Sequence, residues 1–337
     1  MRRFIESAKF RLGGNIASRI KRYDAVISNL RDAKTSAPKD MLVYLELYEH
    51  CFCCAKKRQQ IFRFVPDMLG GSNLIKLMKL DWTNMIQRMC ETLRTEDGKL
   101  QIKNIMLPVT QPKDITHLFR NAIFDTLTPY ILEGAINDGD LSNLISELTN
   151  EGPYEYKQVA LASDDIVIDA GSCMGEFSAL ASVKGCKVYA FEPVPEIVQE
   201  YLSKTAEWNK NIEIIEFGLS DKESELTLTV IDELGSSSGF IVREQAGTDI
   251  VINTITLDDF VCKNNLPRVD FIKADIEGAE RLMLKGAKNV LRDFAPKLAI
   301  CDYHLPDDPQ VLRDLILDAN PNYVIEHKYK KIFAYVP

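Results

Sequence analysis

The pattern of apolar and polar residues changes character near residue 154. Over about the first 95 residues apolar residues recur about every four positions, which is the spacing of one helix face, and residues 98–150 mix short apolar runs with a helical stretch. Such a face is formed by Phe4, Ala8, Leu12, Ile16 and Ile20. We therefore predict a mainly helical N-terminal region over residues 1–150, which ends in a polar linker and serves as a cap, a dimer contact or a docking surface for a partner.

From residue 154 onward, short apolar runs alternate with helical segments. The predicted strands are 166–170, 187–191, 212–217, 224–231, 249–254, 270–274, 297–302, 322–326 and 332–336. The predicted helices are 176–183, 195–208, 256–264, 280–291 and 309–317. Alternating strands and helices predict an α/β domain over residues 151–337, with a doubly wound and mostly parallel sheet covered on both faces. The last two strands are only a few residues apart, so the sheet should end in an antiparallel hairpin.

Composition and charge separate the same two regions. The chain has 337 residues and a net charge of −8. Residues 1–150 carry 22 Lys and Arg against 17 Asp and Glu, and the remainder carries 19 against 32. An acidic C-terminal region is a poor partner for a phosphate backbone, and the basic region holds no nucleic-acid motif, so we expect no nucleic-acid partner.

Two further features bear on the cellular setting. No apolar run approaches the length of about 18 residues that spans a bilayer, and the first residues lack the apolar core of a secretory signal. Eight cysteines in 337 residues are too sparse for a disulfide scaffold. We expect a cytoplasmic protein, with peripheral membrane contact by the basic first helix and homo-oligomerisation left open.

The strongest chemical signal is a glycine-containing turn between a buried strand and a helix. Asp169, Gly171 and Gly175 stand in the pattern D-x-G-x-x-x-G. Glycine lets the backbone turn sharply and approach a ligand closely, and the helix that follows can receive an anionic group at its N-terminus. The next strand ends at Glu192, where an acid can accept hydrogen bonds from both ribose hydroxyls. The loop lacks the G-x-G-x-x-G spacing of a dinucleotide site, so the pattern favours S-adenosylmethionine (SAM) over NAD.

The domain resembles the FkbM family of SAM-dependent methyltransferases from about residue 154 to the end. The matching segments are VIDAG at 167–171, GEFS at 175–178, YAFEP at 189–193, GLSD at 218–221, TITLD at 254–258, DFIKADIEGAE at 270–280 and DYHLP at 302–306. The family usually has Ala-Asn after the first glycine of the turn, whereas this chain has Ser172 and Cys173. Contacts of that Asn are therefore not carried over.

The resemblance implies a class I methyltransferase fold with a seven-stranded sheet and a SAM site at the glycine turn. Asp169, Gly171 and Gly175 would line the methionine part, Glu192 would hold the ribose, and the adenine would lie near Phe217. The full set of predicted cofactor residues is Asp169, Gly171, Ser172, Gly175, Glu176, Phe177, Glu192, Pro193, Phe217, Gly218, Leu219 and Asp275.

The resemblance also implies transfer of a methyl group to a hydroxyl, most often of a saccharide in a surface glycan. Another small-molecule hydroxyl or amine, and a non-catalytic scaffold role, stay open. Asp275 and His304 follow two strands whose carboxyl ends face one cleft, so we predict His304 as the general base and Asp275 as its orienter or an alternative base. We predict no metal; Mg²⁺ at Asp275 and Asp302 stays an open alternative.

Overall fold

The computed structural model of the chain describes residues 93–96, 98–109, 125–132, 151–230 and 248–337. The helices predicted before residue 93, including the basic first helix, lie outside these residues. None of the helices in the described part of the chain has the length and apolar character that crossing a bilayer requires.

A small antiparallel sheet lies at the end of the region predicted to be mainly helical. It consists of β1 (Leu93–Glu96), β2 (Lys99–Ile102) and β3 (Ile105–Pro108), and a short helix, α1 (Thr128–Leu132), follows. Successive side chains of a strand point to opposite faces, and Leu100, Ile102, Ile105 and Leu107 are buried on the same face of β2 and β3. The sequence analysis did not predict this sheet.

The C-terminal domain is built on a seven-stranded sheet. Its strands are β4 (Ile166–Ala170), β5 (Lys187–Phe191), β6 (Ile212–Ile215), β10 (Phe271–Ala274), β11 (Lys297–Cys301), β12 (Val324–Lys328) and β13 (Lys331–Tyr335). They lie in the order β12-β13-β11-β10-β4-β5-β6. All neighbours are parallel except those of β13, which pairs antiparallel with both β11 and β12. The predicted doubly wound sheet with an antiparallel hairpin at the end of the chain is confirmed.

Helices pack in two groups around this sheet. One group contains α2 (Glu176–Val183), α3 (Pro195–Ile197), a π-helical turn (Val198–Leu202) and α4 (Ser203–Trp208). The other contains α5 (Leu257–Lys263), α6 (Glu280–Lys285), α7 (Lys288–Asp293) and α8 (Asp308–Ala319). Strand β3 packs on α2 and α4, and the side chain of Asn209 bonds the backbone N–H and C=O of Met106 at 3.1 and 2.7 Å. The small N-terminal sheet is thereby attached to the first helix group.

A second three-stranded sheet lies beside the main one. Its strands are β7 (Gly218–Leu219), β8 (Ser224–Val230) and β9 (Thr248–Ile255), in the order β7-β9-β8. The sequence analysis predicted the last two as strands without assigning them to a separate sheet.

One predicted helix is divided into two in the structure. The segment 280–291 forms α6 and α7, with a break at Gly286 and Ala287. A Cβ at Gly286 would lie 2.1 Å from the carbonyl oxygen of Ser220, so only glycine fits at the break. Strand β12 also lies two residues later in the chain than predicted.

Candidate active site

The site lies at the carboxyl ends of β4, β5 and β10. After β4 the chain continues to β5 on one side, and it later returns to β10 on the other side. Such a switch in strand order opens a crevice outside the carboxyl edge of a sheet, where ligands bind in doubly wound folds. The loops that follow these three strands carry most of the residues predicted from the sequence.

Asp169 is a buried carboxylate inside β4. Its Oδ2 accepts a hydrogen bond from the Ser178 hydroxyl at 2.6 Å, and its Oδ1 lies 3.0 Å from Nζ of Lys273 on β10. The two residues are directly opposite in the parallel register. Lys273 also donates to the carbonyl oxygens of Ala170 and Gly171. The pair therefore fixes the start of the glycine turn from the neighbouring strand.

Gly171 lies where the loops after β4 and β10 touch. Its φ is +74°, and a Cβ there would lie 2.0 Å from the carbonyl oxygen of Asp275. The N–H groups of Gly171 and Ser172 both donate to the carbonyl oxygen of Phe191 at 3.0 Å. Only glycine fits between the three strand ends, so the requirement at this position is for close backbone approach.

Helix α2 begins after Gly175. A Cβ at Gly175 would lie 2.8 Å from the side chains of both Leu202 and Thr205, so this glycine also allows the start of α2 to pack on the π-helical turn and α4. The carboxyl of Glu176 points inward, and its Oε2 has no hydrogen-bond partner among the described residues. Burial raises the pKa of Glu176 to about 7. This carboxyl is available to a ligand that brings a donor.

Glu192 stands at the end of β5 with its carboxyl buried. Oε2 accepts from the N–H of Cys173, and Oε1 accepts from the N–H of Val194, both at 3.0 Å. Burial raises the pKa of Glu192 to about 7 despite these two bonds. Each oxygen keeps a second lone pair for a further donor. Pro193 and Phe217 are half-buried and lie two residues after the ends of β5 and β6.

Three other predicted cofactor residues are packed rather than open. Phe177 lies in the core against the rings of Tyr154 and Phe271, with centroids 5.4 and 5.8 Å away. Gly218 and Leu219 form the buried strand β7. A role for these three residues in cofactor binding stays a prediction.

Asp275 follows β10 and faces the crevice. Its Oδ2 accepts a hydrogen bond from the Tyr154 hydroxyl at 2.6 Å, whereas its Oδ1 has no hydrogen-bond partner among the described residues. Burial acts to raise the pKa of Asp275, but the positive charges of Lys273 and His304 and the bond from Tyr154 outweigh it and hold this pKa below its ordinary value. Asp275 is therefore a carboxylate at neutral pH.

His304 lies behind Asp275, enclosed by three carboxylates. Its Nε2 is 3.6 Å from both Asp275 Oδ1 and Glu277 Oε2, and its Nδ1 is 3.1 Å from Glu280 Oε1. Burial acts to lower the pKa of His304, but the interactions with Glu280, Asp275 and Glu277 outweigh it and raise this pKa to about 9. The His304 side chain is 2% exposed, whereas those of Asp275 and Glu277 are each 21% exposed. Of the predicted catalytic pair, Asp275 is the more open to a ligand.

The structure separates the two positions considered for Mg²⁺. Asp302 is paired with Nδ1 of His327 at 2.8 Å. In the described part of the chain, the atoms of Asp275, Glu280 and His304 that could bind a metal lie within 4.8 Å of one another, and Asp302 does not belong to that group.

Sequence reasoning missed the roles of Tyr154 and Lys273. A lysine in the middle of the fully buried strand FIKA is a visible signal, because a buried charge requires a partner. Tyr154 gives no such signal, because its hydroxyl reaches Asp275 only through the fold.

The strand order and the glycine turn after β4 define the fold of the class I methyltransferases. Residues 169–326 match the family model of the methyltransferase FkbM domain. This match, over slightly less than half of the chain, confirms the resemblance to the FkbM family seen in the sequence.

Two curated relatives illustrate the family. Hexuronic acid methyltransferase AglP from Haloferax volcanii is 26% identical over 156 residues, which cover 46% of this chain and 63% of that protein. The 31-O-demethyl-FK506 methyltransferase FkbM from Streptomyces tacrolimicus is 20% identical over 46% of this chain and 71% of that protein. The match to the first relative thus spans less than two thirds of its length. A solved methyltransferase FkbM from Methylobacillus flagellatus aligns with 59% of this chain and 55% of its own at 22% identity, with a TM-score of 0.41.

Proposed function

We propose that this chain is a SAM-dependent methyltransferase that transfers a methyl group to a hydroxyl of a saccharide. The observation that carries the proposal is the meeting of three loops in one crevice. The Cys173 N–H bonds Glu192, and Gly171 lies against the backbone of Asp275, so the glycine turn joins the predicted ribose residue to the predicted catalytic residue.

The charges in the crevice support a cationic methyl donor. Four carboxyl groups, those of Asp169, Glu176, Glu192 and Asp275, lie near the ammonium group of Lys273, and His304 and Lys331 bring further positive charge near Asp275. A positively charged ligand would favour the ionised form of the two carboxyl groups whose pKa is about 7, those of Glu176 and Glu192. The unpartnered Oε2 of Glu176 and the spare lone pairs of Glu192 could accept hydrogen bonds from the ammonium and hydroxyl groups of SAM. When bound, SAM supplies a methyl group on a positively charged sulfur.

Asp275 and His304 are the groups that we propose act on the acceptor hydroxyl. Asp275 is open to the crevice and held by Tyr154, so its free Oδ1 can orient a hydroxyl and accept its proton. His304 lies behind it and keeps the carboxylate in place. The sequence analysis expected His304 to take the proton; the exposures of the two side chains favour Asp275 as the residue that meets the acceptor.

One relative supports a saccharide as the methyl acceptor. AglP is named for methylation of a hexuronic acid. A hydroxyl of another small molecule is the second candidate, and it is favoured by the FkbM relative named for its FK506 substrate.

A calorimetric titration with S-adenosylhomocysteine (SAH), beside one with NAD, tests the cofactor. We expect one SAH to bind per chain and NAD to give no heat of binding. Incubation with radiolabelled SAM and glucuronic-acid-containing oligosaccharides tests the acceptor, with neutral oligosaccharides as the comparison.

Label in a saccharide hydroxyl supports the full proposal. Tight SAH binding with label only in other small molecules moves the assignment to the second candidate. Absence of SAH binding overturns the methyltransferase proposal and favours a scaffold role.

A further inference from the structure

We propose that Tyr303 and Lys330 form the subsite that binds the methyl acceptor, and that this subsite takes a saccharide bearing a carboxylate. The inference rests on the proposed function and defines its acceptor class more closely. It follows from the position of the two side chains, from their partners and from the backbone of the turn that carries Lys330.

Tyr303 lies beside the group that we propose meets the acceptor hydroxyl. It follows β11 and precedes His304, and the centroids of the two rings are 4.2 Å apart with 39° between the ring planes. Nε2 of this histidine is in turn 3.6 Å from Oδ1 of Asp275. Burial and the negative charge of Asp275 raise the pKa of the Tyr303 hydroxyl well above its ordinary value. The phenol ring is therefore separated from the Asp275 carboxylate by no more than one side chain.

The same ring is open to solvent. Among the phenylalanine, tyrosine and tryptophan residues that the structure describes, Tyr303 is the only exposed one, at 38%. Ligand sites are commonly lined by aromatic side chains, with a few polar groups that fix the orientation of the ligand. A pyranose ring can place its C–H groups against an aromatic surface and keep its hydroxyls free for hydrogen bonds.

Lys330 brings positive charge to this ring. Its Nζ lies 5.1 Å from the centroid of the Tyr303 ring and 3.7 Å from Oε1 of Glu151, which is longer than a hydrogen bond. Oε2 of Glu151 accepts from the Tyr303 hydroxyl at 3.0 Å, so this carboxylate holds the ring and the ammonium group together. An ammonium group has three N–H donors, and the Lys330 side chain is 42% exposed. It can therefore pair with an anionic group of a ligand.

The backbone of the β12–β13 turn favours a functional reason for this lysine. Lys328 pairs with Lys331, so the turn consists of Tyr329 and Lys330, whose φ angles are +53° and +55°. Positive φ at both central residues is the pattern of a type I′ turn, where Asn and Gly are usual because larger side chains are strained. The Tyr329 ring packs edge-on against Tyr156, but packing does not account for the exposed Lys330. Strained positions of this kind cluster at binding sites.

These groups together select a saccharide with a carboxylate. The Tyr303 ring offers surface to the sugar ring, and the Lys330 ammonium offers charge-assisted hydrogen bonds to a carboxylate. Asp275, beyond the ring, then meets the hydroxyl that receives the methyl group. A neutral saccharide would make the first and third of these contacts only.

Sugar binding to the SAH-loaded chain tests the subsite without turnover. Methyl β-D-glucuronide carries a carboxylate where methyl β-D-glucoside carries a hydroxymethyl group, and titrations followed by saturation-transfer NMR measure both affinities. We expect the glucuronide to bind about tenfold more tightly than the glucoside. Tyr303→Leu should weaken both sugars about tenfold, whereas Lys330→Gln should weaken only the glucuronide and remove the preference.

Lys328→Gln is the matched control. Lys328 lies in the same hairpin, but its Nζ is 4.8 Å from the centroid of the Tyr329 ring rather than near Tyr303. We expect both sugar affinities to equal those of the unmodified chain. Lys330→Gly separates binding from a structural role, since glycine relieves the strain of positive φ. Its melting temperature should be no lower than that of the unmodified chain, and its glucuronide affinity should match that of Lys330→Gln.

Three results would overturn the inference: equal affinities of the unmodified chain for the two sugars, absence of glucuronide binding, or unchanged affinities in Tyr303→Leu and Lys330→Gln. A lower melting temperature of Lys330→Gly with unchanged glucuronide affinity would likewise make the lysine structural. A glucuronide preference that depends on both side chains, without transfer of label from SAM, would instead contradict the proposed function and leave the subsite standing. If SAH does not bind, the same titrations of the chain alone decide the subsite.

Discussion

Glu192 is a buried carboxyl whose charge should control cofactor affinity. Its pKa is raised to about 7 mainly by burial; Asp169 adds to the rise, and Lys273 and two backbone N–H groups oppose it. Ribose hydroxyls donate more strongly to a carboxylate than to a carboxylic acid. Because the carboxyl ionises as the pH rises through its pKa, we predict that SAH affinity increases about tenfold between pH 6 and pH 8.

Calorimetric titrations of SAH across this pH range, on three forms of the chain, check the prediction. Glu192→Gln should bind SAH more weakly at pH 8 and lose the pH dependence. Glu176→Gln is the control, since Glu176 also has a pKa of about 7 in the same crevice. If Glu176→Gln abolishes the pH dependence and Glu192→Gln keeps it, the ribose assignment is wrong.

The residues near the crevice differ in how far the sequence could predict them. Asp275, Glu277 and Glu280 lie within six residues and could be seen as one acidic segment. Their convergence on His304 depends on the parallel pairing of β10 with β11, which brings two strand ends together. The interaction of Tyr154 with Asp275 joins residues 121 positions apart, and no local pattern encodes it.

At the scale of elements, the C-terminal hairpin anchors the segment that leads into the domain, residues 151 and 152. Lys331, the first residue of β13, is buried, and its Nζ donates to the carbonyl oxygens of Glu151 and Gly152 at 2.8 and 3.0 Å. From the other side, Asp125 accepts from the N–H groups of the same two residues at 3.0 Å. The segment that leads to Tyr154 is therefore fixed by two separate parts of the chain.

We predict that Lys331→Met lowers the free energy of unfolding by about 2 kcal/mol, because buried carbonyl groups lose their donor. Urea denaturation followed by circular dichroism measures the change. Lys328→Met is the control: Lys328 lies in the same hairpin, and its Nζ lies 4.8 Å from the centroid of the Tyr329 ring. Equal stabilities of the two variants would show that the Lys331 bonds contribute little.

The elements themselves were largely predictable. Strands β4, β5, β10 and β11 are buried apolar runs, and the short spacing before β13 predicted the antiparallel hairpin. The break between α6 and α7 falls at Gly286, a residue type that commonly ends helices, and the predicted helix ran through this signal. The small sheet β1-β2-β3 was missed because a short apolar run such as 100–107 does not by itself distinguish strands from other buried segments.

At the scale of the whole molecule, the residues predicted to bind the cofactor lie between positions 169 and 275. We therefore predict that removal of residues 1–35 leaves the affinity for SAH unchanged. Calorimetry of the shortened and full-length chains measures both affinities under the same conditions. A loss of more than about tenfold, which corresponds to about 1.4 kcal/mol, would show that the division near residue 150 is wrong.

Residues 151 and 152 are bonded from two sides, and this affects any attempt to replace the N-terminal half of the chain. A Cβ at Gly152 would lie 2.4 Å from the ring of Tyr329, so the linker packs closely on the β12–β13 turn. A different N-terminal half joined at residue 150 would bring its own linker to a surface formed by the last residues of the chain. A chimera that keeps this interface must transplant both ends of the domain, the linker and the final hairpin, as one unit.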